Sequence, residues 1–93
     1  MAGRKGLHIV VWGVVQGVGF RWFVWRTANR FDLKGYVRNR FDGGVETYAE
    51  GDESALQEFL EEIRIGPRSA HISRVDINWV EYNGKYTEFR IEP

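Results

Sequence analysis

The segment VVQGVGFR, residues 14–21, places two glycines and an arginine directly after an apolar run. Gly17 and Gly19 permit backbone angles or close approaches that a Cβ atom would prevent. Several main-chain N–H groups can therefore converge beside the Arg21 guanidinium, which is permanently charged and offers two parallel donors. Such an arrangement suits an anion with several oxygens, and phosphate is the simplest candidate. The alternative is an ordinary turn that binds no ligand.

Three other glycine-rich motifs do not fit this segment. A P-loop requires Gly-Lys followed by Ser or Thr, and this combination does not occur in the chain. A dinucleotide-binding fingerprint requires a third glycine where Trp22 stands. An RNA-recognition module carries its glycine-aromatic signature on the third strand, which here reads VETYAE. The sequence therefore predicts no nucleic-acid partner.

Composition limits the chain to one domain of ordinary globular type. Its 93 residues are 43% hydrophobic and include no cysteine, which excludes disulfides, thiolate catalysis and cysteine-bound zinc. His8 and His71 are isolated, so they do not complete a metal site. The apolar run 7–15 is far shorter than the roughly 20 residues that a membrane helix needs. We therefore expect a cytoplasmic, monomeric protein with no metal, no cofactor and no membrane contact.

The formal net charge is zero, but the charges are unevenly distributed. Residues 21–40 carry six basic residues and one acidic residue, whereas residues 41–63 carry eight acidic residues and no Lys or Arg. A basic segment attracts small anions, because local potential rather than net charge steers ligands. For most of these charges, two solvated surfaces of opposite sign are the simpler interpretation.

Hydrophobic periodicity predicts the elements that must position the glycine loop. A buried strand covers residues 7–14, and an apolar helical stripe runs from Phe20 to Phe31. Further strands are predicted at residues 36–41, 45–50, 75–79 and 89–91, with a second helix between Asp52 and Gly66. The turn signals are Asp42-Gly43-Gly44 and Asn83-Gly84, each read as a hairpin.

The order β-α-β-β-α-β with a short C-terminal fifth strand predicts a ferredoxin-like α/β sandwich of the α+β class. In this fold two helices cover one face of a mostly antiparallel sheet. Residues 1–6 are predicted to be a disordered N-terminus, and residues 7–93 to form a single domain.

Two longer motifs resemble signatures of the acylphosphatase family. GVVQGVGFR, residues 13–21, is similar to the first signature, Gly-x-Val-Gln-Gly-Val-x-Phe-Arg. GYVRNRFDGGVETYAEG, residues 35–51, is similar to the second, Gly-aromatic-x-x-Asn-x-x-x-Gly-x-Val with a later glycine. The resemblance extends from about Leu7 to Ile91. It implies a small stand-alone enzyme that hydrolyses acyl phosphates to a carboxylate and inorganic phosphate, the latter also acting as an inhibitor.

The resemblance also implies roles for individual residues. Arg21 binds the phosphoryl group, and Asn39 positions the attacking water. The loop that assists Arg21 comprises Val15, Gln16, Gly17, Val18, Gly19 and Phe20. These residue types suit the chemistry, since phosphoryl transfer depends largely on positioning and electrostatics. Taken alone, Asn39 fits equally well as a strand-end residue before a turn.

A non-catalytic module that binds phosphate or an acyl phosphate is the alternative function. Asn39 argues against it, because an anion binder needs Arg21 and the loop but no amide that positions water. The remaining charges near this strand, Arg38, Arg40, Glu46 and Glu50, are predicted to be solvated surface residues.

Overall fold

The computed structural model describes residues 3–93, which form the elements in the predicted order. The helices are α1 (Phe20–Arg30) and α2 (Glu53–Ile65). The strands are β1 (Arg4–Val14), β2 (Lys34–Asn39), β3 (Val45–Asp52), β4 (His71–Glu81) and β5 (Phe89–Ile91).

The five strands form one sheet in the order β4-β1-β3-β2-β5. β1 pairs antiparallel with β3 and β4, and β2 pairs antiparallel with β3 but parallel with β5. The units β1-α1-β2 and β3-α2-β4 each skip one strand, so they interleave. The predicted ferredoxin-like α+β fold is confirmed.

The core lies between the sheet and the two helices. Alternate β1 residues Leu7, Ile9 and Val11 are fully buried on the helix-covered face, because successive strand residues point to opposite faces. The buried stripes of the helices meet this face and consist of Phe20, Val24, Thr27 and Ala28 in α1 and Leu56, Phe59, Leu60 and Ile63 in α2. These stripes match the predicted periodicity.

The N-terminal prediction is wrong for residues 4–6. β1 begins at Arg4, and Lys5 already lies opposite residues of both β3 and β4. The neighbouring strands are longer than their hydrophobic patterns indicated, so they supply hydrogen-bond partners to this polar segment. Residues 1 and 2 lie outside the described residues.

The predicted Asn83-Gly84 hairpin is also wrong. Gly84 does take a left-handed φ of 68°, as a turn requires. However, β5 pairs in parallel with β2, at the sheet edge opposite β4. The connecting segment, residues 82–88, crosses the helix-free face, where the Tyr86 ring packs 5.4 Å from that of Tyr48. A local turn signal does not determine which strand the following segment joins.

Candidate active site

The strand register brings the two predicted functional motifs to one end of the sheet. Val11 of β1 and Asn39 of β2 both lie opposite Val45 of β3, one on each side. Neighbouring strands are about 4.8 Å apart, so the backbones of Val11 and Asn39 are about 10 Å apart. The loop 15–20 follows β1 at this same end. We call this end of the sheet the site end.

The loop owes its shape to two glycines with left-handed backbone angles. Gly17 has a φ of 76° and Gly19 a φ of 78°. A Cβ atom built at either position would meet no atom within 4 Å. Glycine is therefore required at both positions by the left-handed backbone angle and not by a lack of space for a side chain. The loop is held at both ends by the buried side chains of Val15 and Phe20, each 1% exposed.

The loop leads into the N-terminus of α1. The first helical hydrogen bond runs from the Phe23 N–H to the Gly19 carbonyl, at 3.1 Å. The preceding N–H groups, those of Phe20, Arg21 and Trp22, have no carbonyl partner within the helix. No acidic residue stands in the first turn of α1. The positive end of the helix dipole and the Arg21 charge therefore both favour negative charge near the start of α1.

The half-buried Arg21 side chain contacts the segment that follows β5. Its Nη1 donates a hydrogen bond of 2.7 Å to the Glu92 carbonyl oxygen. The Glu92 N–H in turn donates to the Val37 carbonyl of β2, at 2.8 Å. A chain of two hydrogen bonds thus links Arg21 to the strand that carries Asn39.

Asn39 is the last residue of β2, two residues earlier than the predicted strand end. Alternation places it on the helix-covered side with Val37. Among residues 3–93, no group forms a hydrogen bond with its side-chain amide, which is therefore available to water. Asn39 also borders an open depression whose other lining residues are Arg38, Arg40, Phe41, Asp42, Glu46 and Pro93, and neither the loop 15–20 nor Arg21 lines it.

Gln16 ties the loop to the turn between β2 and β3. Its side-chain Nε2 donates to the carbonyl oxygens of Arg40 and Gly44, at 2.8 and 2.9 Å. This amide therefore holds the loop beside Asn39, and a phosphate contact from Gln16 is left to its main-chain N–H. That contact stays a prediction.

Two further residues support the site and were not found from the sequence. Ser69 Oγ donates to the Val18 carbonyl at 2.7 Å, and Glu92 accepts from Arg21 as described above. Ser69 is 51 residues away from its partner, and Glu92 is 71 residues away from Arg21. Glu92 contributes only backbone groups to these bonds, so its side-chain type could not have indicated this contact in the sequence.

The prediction that Glu46 is solvated is wrong. Glu46 is only 7% exposed, on the helix-free face of β3. It accepts hydrogen bonds from His8 Nε2 at 2.8 Å, Tyr36 OH at 2.9 Å and Arg38 Nε at 3.0 Å. Burial by itself would raise the pKa of Glu46, but these three donors outweigh it and lower the pKa to about 2.

Glu50 is also buried rather than solvated, with 1% of its surface exposed. It accepts a hydrogen bond of 2.9 Å from Tyr48 OH. Burial raises the pKa of Tyr48, and the bond to Glu50 raises it further. The Tyr86 ring of segment 82–88 packs against Tyr48, the hydrogen-bond partner of Glu50, whereas Glu46 lies among its own three donors, His8, Tyr36 and Arg38.

Three arginines of the helix-free face are paired with carboxylates within the protein. Arg38 binds Glu46, Arg40 binds Asp42 at 2.8 Å, and a third ion pair joins Arg74 to Asp76 at 3.2 Å. RNA-recognition modules instead offer free cations and open aromatic rings on this face. The absence of a nucleic-acid partner stays a prediction.

Within residues 3–93, no three or more His, Asp or Glu side chains lie close enough to hold a metal ion. The same residues include no helix that is both long and apolar enough to cross a membrane.

Comparisons with known proteins agree with this fold. The family model for Acylphosphatase matches residues 7–91. A curated acylphosphatase from Caldanaerobacter subterraneus subsp. tengcongensis is 42% identical over 88 residues, which is 95% of this chain and 98% of that one. The crystal structure of an acylphosphatase from Bacillus subtilis superposes with a TM-score of 0.92 at 38% identity, covering 96% of this chain and 99% of that one.

A longer protein contains a similar domain. Full-length HypF, crystallised in a phosphate- and nucleotide-bound form, matches all of this chain with a TM-score of 0.87 and 31% identity. The match covers only 12% of the HypF chain.

Proposed function

The chain belongs to the acylphosphatase family and hydrolyses acyl phosphates, and we propose that Arg21, the loop 15–20 and Asn39 perform this reaction. In the proposed mechanism the loop and Arg21 bind the phosphoryl group. Asn39 orients a water molecule, which attacks phosphorus and displaces the carboxylate.

Phosphate binding is the step for which the geometry gives the strongest support. The left-handed angles at Gly17 and Gly19 shape the loop backbone at the start of α1. The unbonded N–H groups of the first helical turn and the Arg21 guanidinium supply donors and positive charge. In phosphoryl transfer, such groups stabilise the charge on the equatorial oxygens.

Water positioning is proposed for Asn39 because its amide is available at the same end of the sheet. An amide offers one acceptor and two donors, so it can hold a neutral water without competing for the phosphate. Asn39 is not a base, so activation of the water comes from a substrate phosphate oxygen or from the local field. The carboxylate is a good leaving group, and the mechanism needs no strong general acid.

The alternative considered from the sequence was a module of the same fold that binds phosphate without turnover, and the similarity to curated acylphosphatases argues against it. The unbonded Asn39 amide is the observation that favours hydrolysis, since anion binding alone does not require it. A deciding experiment measures phosphate release from acetyl phosphate and benzoyl phosphate in excess chelator. We expect multiple turnovers under these conditions.

Two outcomes of this assay would contradict the proposal. Binding of phosphate without turnover would support the module. Abolition of turnover by chelator, with restoration by a divalent ion, would overturn the metal-free mechanism.

A cytoplasmic location and a monomeric state complete the proposal. Cell fractionation tests the location, and analytical ultracentrifugation tests the oligomeric state.

A further inference from the structure

Trp22 is a large exposed aromatic residue at the start of α1, where phosphate is proposed to bind. It is the third residue of the helix, directly after Arg21, and 59% of its surface is exposed. Its main-chain N–H is one of the groups that have no carbonyl partner within the helix. The backbone of Trp22 therefore belongs to the proposed phosphate site, whereas its side chain lies outside the hydrophobic core.

Helix geometry sets the direction in which the Trp22 side chain projects. Successive helical residues turn by about 100°. Trp22 thus lies about 200° around the helix from both Phe20 and Val24, which are buried against the sheet. The indole therefore projects away from the sheet. Helical side chains also lean towards the N-terminus of their helix, which brings the indole towards the place where the phosphoryl group is proposed to bind.

A second tryptophan restrains the Trp22 ring. Trp25 lies one turn further along α1, and its Nε1 donates a hydrogen bond of 3.1 Å to the Phe89 carbonyl of β5. The two indole rings are nearly perpendicular, at 86°, and their centroids are 5.0 Å apart. Edge-to-face packing of this kind is favourable for aromatic rings. Trp22 is thus an exposed aromatic surface whose orientation is restrained before substrate binds.

We propose that Trp22 binds the acyl group of the substrate and gives the enzyme a preference for acyl phosphates with an aromatic acyl group, such as benzoyl phosphate, over acetyl phosphate. This inference rests on the proposed function, because it takes the positions of the phosphoryl group and the water from that mechanism. It adds a residue that contacts the leaving group.

The direction of attack supports this assignment. In phosphoryl transfer the attacking and leaving oxygens lie roughly in line, on opposite sides of phosphorus. Asn39, which is proposed to hold the water, lies on the sheet side of the phosphate site. The carboxylate therefore leaves on the side that faces away from the sheet, where the Trp22 indole projects. An aromatic acyl group gains buried area and ring packing there, whereas an acetyl group is too small to cover the indole.

Substitution of Trp22 by alanine tests the acyl contact. The measured quantity is kcat/KM for benzoyl phosphate divided by kcat/KM for acetyl phosphate. Comparing this ratio between variant and parent removes the difference in intrinsic reactivity of the two substrates. We expect Trp22→Ala to lower the ratio by about 3- to 10-fold, the effect of one aromatic contact, and Trp22→Phe to keep most of it. Inhibition by inorganic phosphate should not change, because the N–H of residue 22 remains.

Phe41→Ala is the matched control. Phe41 is also an exposed aromatic residue at the site end, but it follows Asn39, on the side from which the water is proposed to attack. We expect this variant to keep the benzoyl-to-acetyl ratio close to that of the parent. All variants are checked for folding by urea denaturation, because Trp22→Ala also removes the packing against Trp25.

An unchanged ratio in folded Trp22→Ala would overturn the inference, as would a lower ratio in Phe41→Ala alone. Weaker phosphate inhibition in Trp22→Ala would also contradict it, since the indole would then act on the phosphate-binding loop and not on the acyl group. Failure of the proposed function has a different signature, because the parent would then hydrolyse neither acyl phosphate.

Discussion

At the residue scale, Arg21 and Asn39 are proposed to act on different reactants. In the proposed mechanism, Arg21 contacts phosphate in the substrate, the transition state and the product. Arg21→Ala should therefore weaken inhibition by inorganic phosphate as well as lower kcat/KM. Arg21→Lys should also be impaired, since an ammonium group lacks the planar pair of parallel N–H donors that matches two phosphate oxygens. Steady-state kinetics with phosphate as inhibitor measure both effects, and unchanged phosphate inhibition in folded Arg21→Ala would contradict the assignment.

Asn39 is proposed to act chiefly on the water. Loss of one well-placed polar group in an active site costs on the order of 10²–10³ in rate. Asn39→Ala should lower kcat by this factor and leave KM and phosphate inhibition near parental values. Because lost stability would imitate lost chemistry, the variant is compared with the parent by circular dichroism and urea unfolding. Parental turnover in the folded variant would show that Asn39 does not position the water.

At the element scale, the loop between β1 and α1 depends on its backbone angles. Gly19→Ala places a Cβ at a φ of 78°, where no atom lies within 4 Å to clash with it. The expected cost is the left-handed strain of about 1–2 kcal/mol, accompanied by weaker phosphate inhibition as the loop relaxes. Gly3→Ala is the control, because that position is equally open and has no left-handed φ. Equal stability of the two variants would argue against a strained loop.

At the scale of the whole molecule, Glu46 makes the stability of the fold depend on pH. Its pKa is about 2 in the folded chain, compared with an ordinary value of 4.5. A carboxyl with a lowered pKa stabilises the fold above its ordinary pKa, and the contribution is lost as pH falls through the folded value. From this shift the contribution at pH 7 is on the order of 3 kcal/mol.

The corresponding experiment is urea unfolding of Glu46→Gln between pH 7 and pH 2. We expect the variant to have a smaller free energy of unfolding than the parent at pH 7, and the difference to shrink below about pH 4.5. Glu58→Gln, at an exposed position on α2, is the control and should change little. A pH-independent difference for Glu46→Gln would show that its ionisation is not the source of the stability.

The sequence by itself determined the features that depend on residues close to one another along the chain. The helical stripes, the turn at Asp42-Gly43-Gly44 and the need for flexible backbone at Gly17 and Gly19 arise within a few positions. The order of the elements then restricted the chain to a ferredoxin-like fold, since few connections join such elements compactly. The family resemblance also rested on local motifs.

Tertiary structure alone decided which distant residues meet. Three features depend on contacts between segments that are distant in sequence. They are the pairing of β5 with β2, the burial of Glu46 and Glu50, and the bond from Arg21 to Glu92. The deciding contacts are backbone groups for β5 and Arg21, and side chains from neighbouring strands for Glu46. Burial and backbone hydrogen bonding depend on what covers a surface, and only the packed chain determines that.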